Sequence, residues 1–232
     1  MSLSAIDSTV LALLVNHAPG GASRLAPLPI VIGSRAEARP PVRAARGLGL
    51  ELAIADITRD PSDAIVNPVG AGLVDLAVRK AAGPFLLEDF HRGVVGLPGG
   101  KLTAGNVVVT RGYGLFAGHV IHCCPPVYAD DPAAARKALA ACYVEALWVA
   151  RARGFTSIAF PAIGTGVYRY PPNEAAEVAV RAVVHDLRAY PASPLVRFLF
   201  LDEQLLRLYA GAAAGLASED PRRTERGLRF SL

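Results

Sequence analysis

From Leu50 onwards the apolar positions come in short, bounded runs. Leu50–Ile54 alternates as a half-buried strand does and stops at Asp56–Thr58, where an aspartate can turn the chain and accept amide hydrogen bonds. Asp63–Asn67, Asn106–Thr110, His119–Cys124, Thr156–Phe160 and Leu195–Leu201 read as further strands. Helical spacing predicts Val74–Ala82, stopped by Gly83-Pro84, then a helix that Pro84 opens and that runs through His91. Asp131–Arg153 is a long helix with Leu139, Tyr143, Ala146, Leu147 and Ala150 on its buried face. Pro172–Leu187 is another, and Asp202 can N-cap a last helix to about Ala214. Beyond Asp131 helices alternate with apolar strands. That order predicts an α/β architecture: a sheet covered on both faces, with parallel βαβ units.

The densest signal is Phe155–Tyr170. A buried strand, preceded by a helix-ending Gly154 and halted by Pro161, runs into Gly164-Thr165-Gly166-Val167, and Pro171-Pro172 opens a helix directly afterwards. The two glycines are expected to allow positive φ at both positions, so that successive backbone N–H groups converge on an anion. Strand, amide nest and helix start together suit a phosphate group, although an ordinary tight turn has the same short signature. In such sheets ligands bind beyond the carboxyl ends of the strands, where Asp56, Asn67 and Gly164–Tyr168 all fall.

Composition narrows the class. A chain of 232 residues with 52% hydrophobic and 19% charged residues can bury a substantial core and is not the composition of a disordered protein. The 24 Lys+Arg against 20 Asp+Glu leave a charge of +4, almost all of the cations being arginine, because Lys80, Lys101 and Lys137 are the only lysines. The basic residues are scattered apart from Arg222–Arg229, which argues against a nucleic-acid groove and for a solvated tail. Cys123, Cys124 and Cys142 are odd in number and offer no disulfide framework, which fits a reducing cytoplasm. Val10–Val15 is too short to span a bilayer and no Lys or Arg precedes it, so neither a membrane span nor a signal peptide is expected. Residues 1–47, with apolar pieces at Val10–Val15 and Pro29–Ile32 and a Pro/Arg/Ala stretch at Arg35–Arg46, read as an appendage and linker. Residues 48–216 are read as the main domain and 217–232 as a charged tail.

Other chemistry is thinly supported. His119, His122, Cys123 and Cys124 are metal-ligand types, but on a strand they point to opposite faces and cannot surround one ion, so no metal and no cofactor are expected. Gly99–Thr103 departs from a P-loop at Val95 and Leu102, and a Gly-x-Ser-x-Gly elbow is lacking. Asp56 can accept a hydrogen bond from a base amino group or cap a turn. Asp75 can position a water or a ribose hydroxyl, or favour a helix dipole. Tyr168 and Tyr170 can pack on a sugar ring or belong to the rim or core.

Taken in order, these pieces resemble the macro domain, an ADP-ribose-binding module. The resemblance spans roughly Leu50 to Ala214: Ala55–Thr58 is similar to G-D-I-T, Asp63–Asn67 to D-A-I-V-N, and Val74–Pro84 to V-D-x-A-I-x-x-A-A-G-P. Thr103–Gly105, Thr110–Tyr113 and His119–His122 are similar to T-G-x, T-x-G-Y and Y-V-I-H. Phe160–Pro171 resembles F-P-A-I-S-T-G-V-Y-G-Y-P, and Phe200–Glu203 the closing F-x-D-E. The resemblance implies a three-layer α/β/α fold with a mixed, largely parallel central sheet. It further implies that Asp56 meets the adenine amino group and that Ile57 adds a backbone contact. Gly164, Thr165, Gly166 and Val167 would hold the diphosphate through amides, Tyr168 would stand beside the distal ribose, and Phe200 and Leu201 would border the adenine and proximal ribose.

The departure lies in the first ligand loop. Hydrolytic members carry N-A-A-N, a spacer, a glycine run and V-D, whereas this chain has Asn67-Pro-Val-Gly-Ala-Gly-Leu-Val-Asp75, with Gly70 matching the second Asn. Asp75 matches the aspartate that orients water, but without its amide partner. Binding of ADP-ribose, a related nucleotide or an ADP-ribosylated protein is therefore expected to survive better than catalysis. Mono-ADP-ribosyl hydrolysis through Asp75 is the alternative, and binding of nucleic acid or another phosphate ligand on the same fold is a third.

Overall fold

A computed structural model describes residues 49–219, apart from 71, 129 and 130. The expected appendage at 1–47 and most of the charged tail lie outside the described residues. The sheet has six strands: β1 (Leu50–Ile54), β2 (Ala64–Pro68), β3 (Val107–Arg111), β4 (His119–Cys123), β5 (Ser157–Phe160) and β6 (Leu195–Phe200). Among the described residues five α-helices accompany them: α1 (Leu73–Ala82), α2 (Phe85–Val95), α3 (Pro132–Ala152), α4 (Pro172–Ala189) and α5 (Glu203–Glu219). None is long and apolar enough to cross a membrane.

Strand order is β1-β6-β5-β2-β4-β3, parallel throughout except that β3 runs antiparallel to β4 at one edge. The period-2 alternation of the strands divides the apolar residues between two cores. Ala64, Val66, Ile121, Cys123, Ile158, Phe160, Val196, Phe198 and Phe200 face α3, α4 and α5. Ile65, Val120, Ala159 and Leu199 face the opposite way, against Val78 and Ala82 of α1 and Leu86 of α2. The molecule is therefore three-layered, as expected. Its middle strands are apolar on both sides, which explains why β5 is buried at every position.

Local signals place the helices. The Asp131 carboxylate accepts from Ala134 N at 2.9 Å to start α3, which ends where Gly154 takes φ +68°. Asp202 accepts from Leu205 N at 2.9 Å and starts α5. This last helix runs to Glu219 rather than to about Ala214, because Leu216 continues onto the core the apolar stripe of Leu205, Leu206, Tyr209 and Ala213. Because β1, β6, β5 and β2 are adjacent and parallel, the loops that follow them emerge in a row on one edge. At the usual strand spacing that row spans about 14 Å.

Candidate functional site

The row begins at Asp56, after β1. Its Oδ1 accepts from Thr58 N at 2.9 Å and Thr58 Oγ1 at 2.8 Å, so the carboxylate caps the short 3-10 turn Ile57–Arg59, as the turn reading of the sequence had it. It nevertheless remains exposed, and Arg59 approaches Oδ2 only at 3.9 Å. A second acceptor edge is thus left facing solvent. Ile57 is buried under α1, which leaves its backbone rather than its side chain at the cleft.

The middle of the row is the loop after β5. Here Gly164 takes φ +87°, and a Cβ there would meet Tyr170 Cβ at 3.3 Å. The second left-handed residue is Arg169, at φ +56°, and not Gly166 as expected: the loop turns back through the Tyr170 N to Gly164 O bond of 3.0 Å. Among the described residues the amides of Gly164, Thr165, Gly166, Val167 and Tyr168 donate to no acceptor. The Thr165 hydroxyl turns inward to Ala162 O at 3.0 Å. Around Gly166 a Cβ would find open space, and Val167 is 57% exposed. Unpaired amides at a strand's carboxyl end, beside open space, are what an anion needs.

One expected residue lies elsewhere. Phe200 is 2% exposed, its ring packed on Tyr209 at 4.7 Å and near Phe198, because position 200 falls on the same face of β6 as 196 and 198. Only its carbonyl reaches the edge, where it accepts from Ala55 N at 2.9 Å. Leu201, one residue on, is 72% exposed and can border the cleft. Tyr170 is likewise core: its ring packs on Tyr128 at 4.7 Å and burial pushes its hydroxyl up to about 12.

At the far end of the row, after β2, a buried polar chain runs beneath the loop. Asn67 pairs in register with His122 of β4, and both point to the α1–α2 face. Asn67 Nδ2 donates to Asp75 Oδ1 at 2.8 Å and lies 3.2 Å from His122 Nδ1, which fixes Nδ1 as an acceptor and leaves the Nε2 proton for Thr110 Oγ1 at 2.9 Å. Thr110 passes the direction on, donating to Arg111 O at 3.1 Å. Phe90 covers the imidazole, with ring centroids 4.8 Å apart. Burial first, and the Arg79 charge second, push the pKa of His122 down to about 3, so it is a neutral relay of hydrogen bonds. Asn67 Oδ1 is buried and finds no partner among the described residues.

Asp75 is 1% exposed, and its carboxylate is filled: Oδ1 takes Asn67 Nδ2 and Arg79 Nε at 3.0 Å, while Oδ2 takes Gly70 N at 3.2 Å and Arg79 Nη2 at 2.8 Å. Tyr168 bridges the two loops, donating its hydroxyl to Val69 O. The expected metal-type residues are divided between faces, His119 stacking on Phe155 at 4.7 Å and His122 on Phe90. Arg79, His122 and Thr110 were not singled out as site residues from the sequence. The i,i+4 spacing of Asp75 and Arg79 on a helix is a signal that could have found the first; the other two needed the strand register.

Comparison with known proteins gives consistent matches. The family model of the Macro domain matches residues 66–179. O-acetyl-ADP-ribose deacetylase of Salmonella typhimurium is 40% identical over 166 residues, covering 69% of this chain and 92% of that protein. The protein of the same name from Klebsiella pneumoniae is 41% identical over 166 residues, covering 68% and 93%. Among solved structures, the Oceanobacillus iheyensis macrodomain with ADP superposes with a TM-score of 0.69 at 32% identity, covering 73% of this chain and 92% of that one. The Trypanosoma brucei macrodomain in complex with ADP-ribose gives a TM-score of 0.62 at 28% identity, covering 72% and 73%.

Proposed function

This chain belongs to the macro domain family, and from that membership we propose that it binds ADP-ribose, free or carried on a protein, along the carboxyl edge of its sheet. The observation that carries the proposal is the run of unengaged amides from Gly164 to Tyr168, midway between an exposed aspartate after β1 and a polar cluster after β2. A diphosphate fits the middle. Asp56, with the Ile57 backbone, takes the adenine amino group, and Leu201 borders the proximal side. Gly70 and Tyr168 flank the distal ribose, with Asn67 and Asp75 buried beneath them holding the loop. The three free thiols, Cys123, Cys124 and Cys142, support a cytoplasmic location.

A second reading, hydrolysis of an ADP-ribosyl or acyl ester, is favoured by one observation: a buried aspartate stands at the distal end, in a chain whose relatives include named deacetylases. General-base work by Asp75 requires a lone pair, and each oxygen is occupied by two donors. Binding with slow or absent turnover is therefore the preferred reading. Calorimetry with ADP-ribose, ADP and single-stranded RNA tests it, the expected order being ADP-ribose, then ADP, with no RNA binding. Tight RNA binding without ADP-ribose binding would overturn it. An assay on a mono-ADP-ribosylated protein separates the two readings: robust turnover that Asp75→Ala removes promotes the hydrolase, and turnover that survives Asp75→Ala puts the chemistry on another residue.

A further inference from the structure

The loop after β5 holds a cation on a strained backbone. Among the described residues other than glycine, only Tyr113 and Arg169 take a positive φ, of 51° and 56°. Tyr113 has its ring against Phe85, with centroids 6.3 Å apart, whereas the Arg169 side chain is exposed and meets no carboxylate or ring among the described residues. That backbone conformation suits glycine and costs any residue with a Cβ. From Pro161 to Pro171 the loop contains no Asp or Glu, and Arg169 is its single charge. Other cations near this edge are claimed: Arg79 lies 2.8 Å from Asp75, Arg136 3.5 Å from Glu174, and Arg59 approaches Asp56 at 3.9 Å.

The hydrogen bonds that close the loop set Arg169 beside the run of unengaged amides. Its own N–H donates to Gly166 O at 2.9 Å, and that of Tyr170 to Gly164 O at 3.0 Å. Tyr168, before it, is committed to Val69 O, and Tyr170, after it, is in the core. Building on the ADP-ribose reading, we infer that Arg169 is a further ligand-binding residue: its guanidinium folds over the rim of the loop and donates to the diphosphate that the Gly164–Tyr168 amides cradle. Backbone amides offer dipoles and no net charge. A planar fork of N–H donors adds an attraction that grows with the charge of the ligand and holds two phosphate oxygens at once. A side chain is kept at a position that glycine fits better because it serves the ligand and not the fold.

The test is calorimetry with ADP-ribose at low and at high ionic strength, beside thermal melts of each variant. For Arg169→Gly the thermal midpoint is expected to equal or exceed that of the parent, because the strain is relieved. Its ADP-ribose affinity should fall about fivefold at low ionic strength, as loss of a partly exposed charge pair gives. At high ionic strength the loss should shrink to within about twofold, because salt screens such a pair. Arg169→Gln keeps the strained backbone without the charge and is expected to lose affinity as the glycine variant does. Arg169→Lys, a point charge without the fork, should fall between Arg169→Gln and the parent. Unchanged affinity in Arg169→Gly overturns the inference and leaves the ADP-ribose reading standing. So does a loss that is equal at both ionic strengths, or one accompanied by a lowered thermal midpoint, which would give Arg169 a role in folding the loop. Failure of ADP-ribose to bind the parent overturns the ADP-ribose reading itself.

Discussion

Tyr168 lies directly over Gly70: its hydroxyl donates to the carbonyl of Val69, and a Cβ at Gly70 would stand 3.1 Å from Tyr168 Cζ, with the phenolic oxygen closer still. The tyrosine thus fills the place to which a side chain at 70 would point. Gly70 also adopts φ +130°, which residues with a Cβ rarely reach. Gly70→Ala is therefore expected to cost about 1–3 kcal/mol of stability and to weaken ADP-ribose binding, since it must push the two loops apart. Urea denaturation beside calorimetry reads both effects. An alanine variant as stable as the parent would mean that the loop relaxes freely and that the latch has no role.

At Gly166 the geometry is the opposite, with negative φ and open space where a side chain would go. Gly166→Glu should leave the thermal midpoint unchanged and abolish ADP-ribose binding, because the new carboxylate takes the place and the charge of a phosphate. Retained affinity would show that the diphosphate lies elsewhere.

Asp56 has two tasks, and two substitutions part them. Asp56→Ala removes the cap on Thr58 N and Oγ1 as well as the proposed acceptor for adenine, so about 1 kcal/mol of stability and about 1–3 kcal/mol of affinity should go. Asp56→Asn keeps an oxygen for both and should lose less of each. Equal ADP-ribose affinity in Asp56→Ala and the parent refutes the adenine assignment.

His122 makes stability depend on pH. Its folded pKa is near 3 against an ordinary value of 6.5, so the folded chain resists a proton that the unfolded chain accepts. Its contribution is present in full above about pH 6.5 and is lost as pH falls from there towards 3. Between pH 7 and 5 this amounts to about 2 kcal/mol. His119, held down mainly by burial, acts in the same direction. Urea midpoints at pH 7 and 5 should therefore differ for the parent and differ less for His122→Gln. An unchanged pH dependence in that variant would place the titration on other groups.

How far the sequence reached is clearest at three places. Asp202 and Gly154 mark helix ends by chemistry within one turn, and the structure uses them as read, while Asp131, read as the first residue of its helix, caps it. The expectation of an anion cradle after β5 rests on glycine spacing and a strand end, which are both local. The loop's second left-handed residue was not legible, since Arg169 is forced positive by the return of Tyr170 N to Gly164 O, a closure that several residues settle together.

What the sequence by itself determined is therefore whatever depends on neighbours along the chain: periodicity, caps, turns and the order of motifs that identifies the family. Tertiary structure alone decided which face each functional side chain occupies. Register set Asn67 beside His122 from strands more than fifty residues apart, turned the Phe200 ring into the core, and laid Tyr168 on Gly70 across two loops. A strand's side chains alternate strictly, so a single step of register exchanges cleft for core, and that step is fixed by pairing partners distant in the chain.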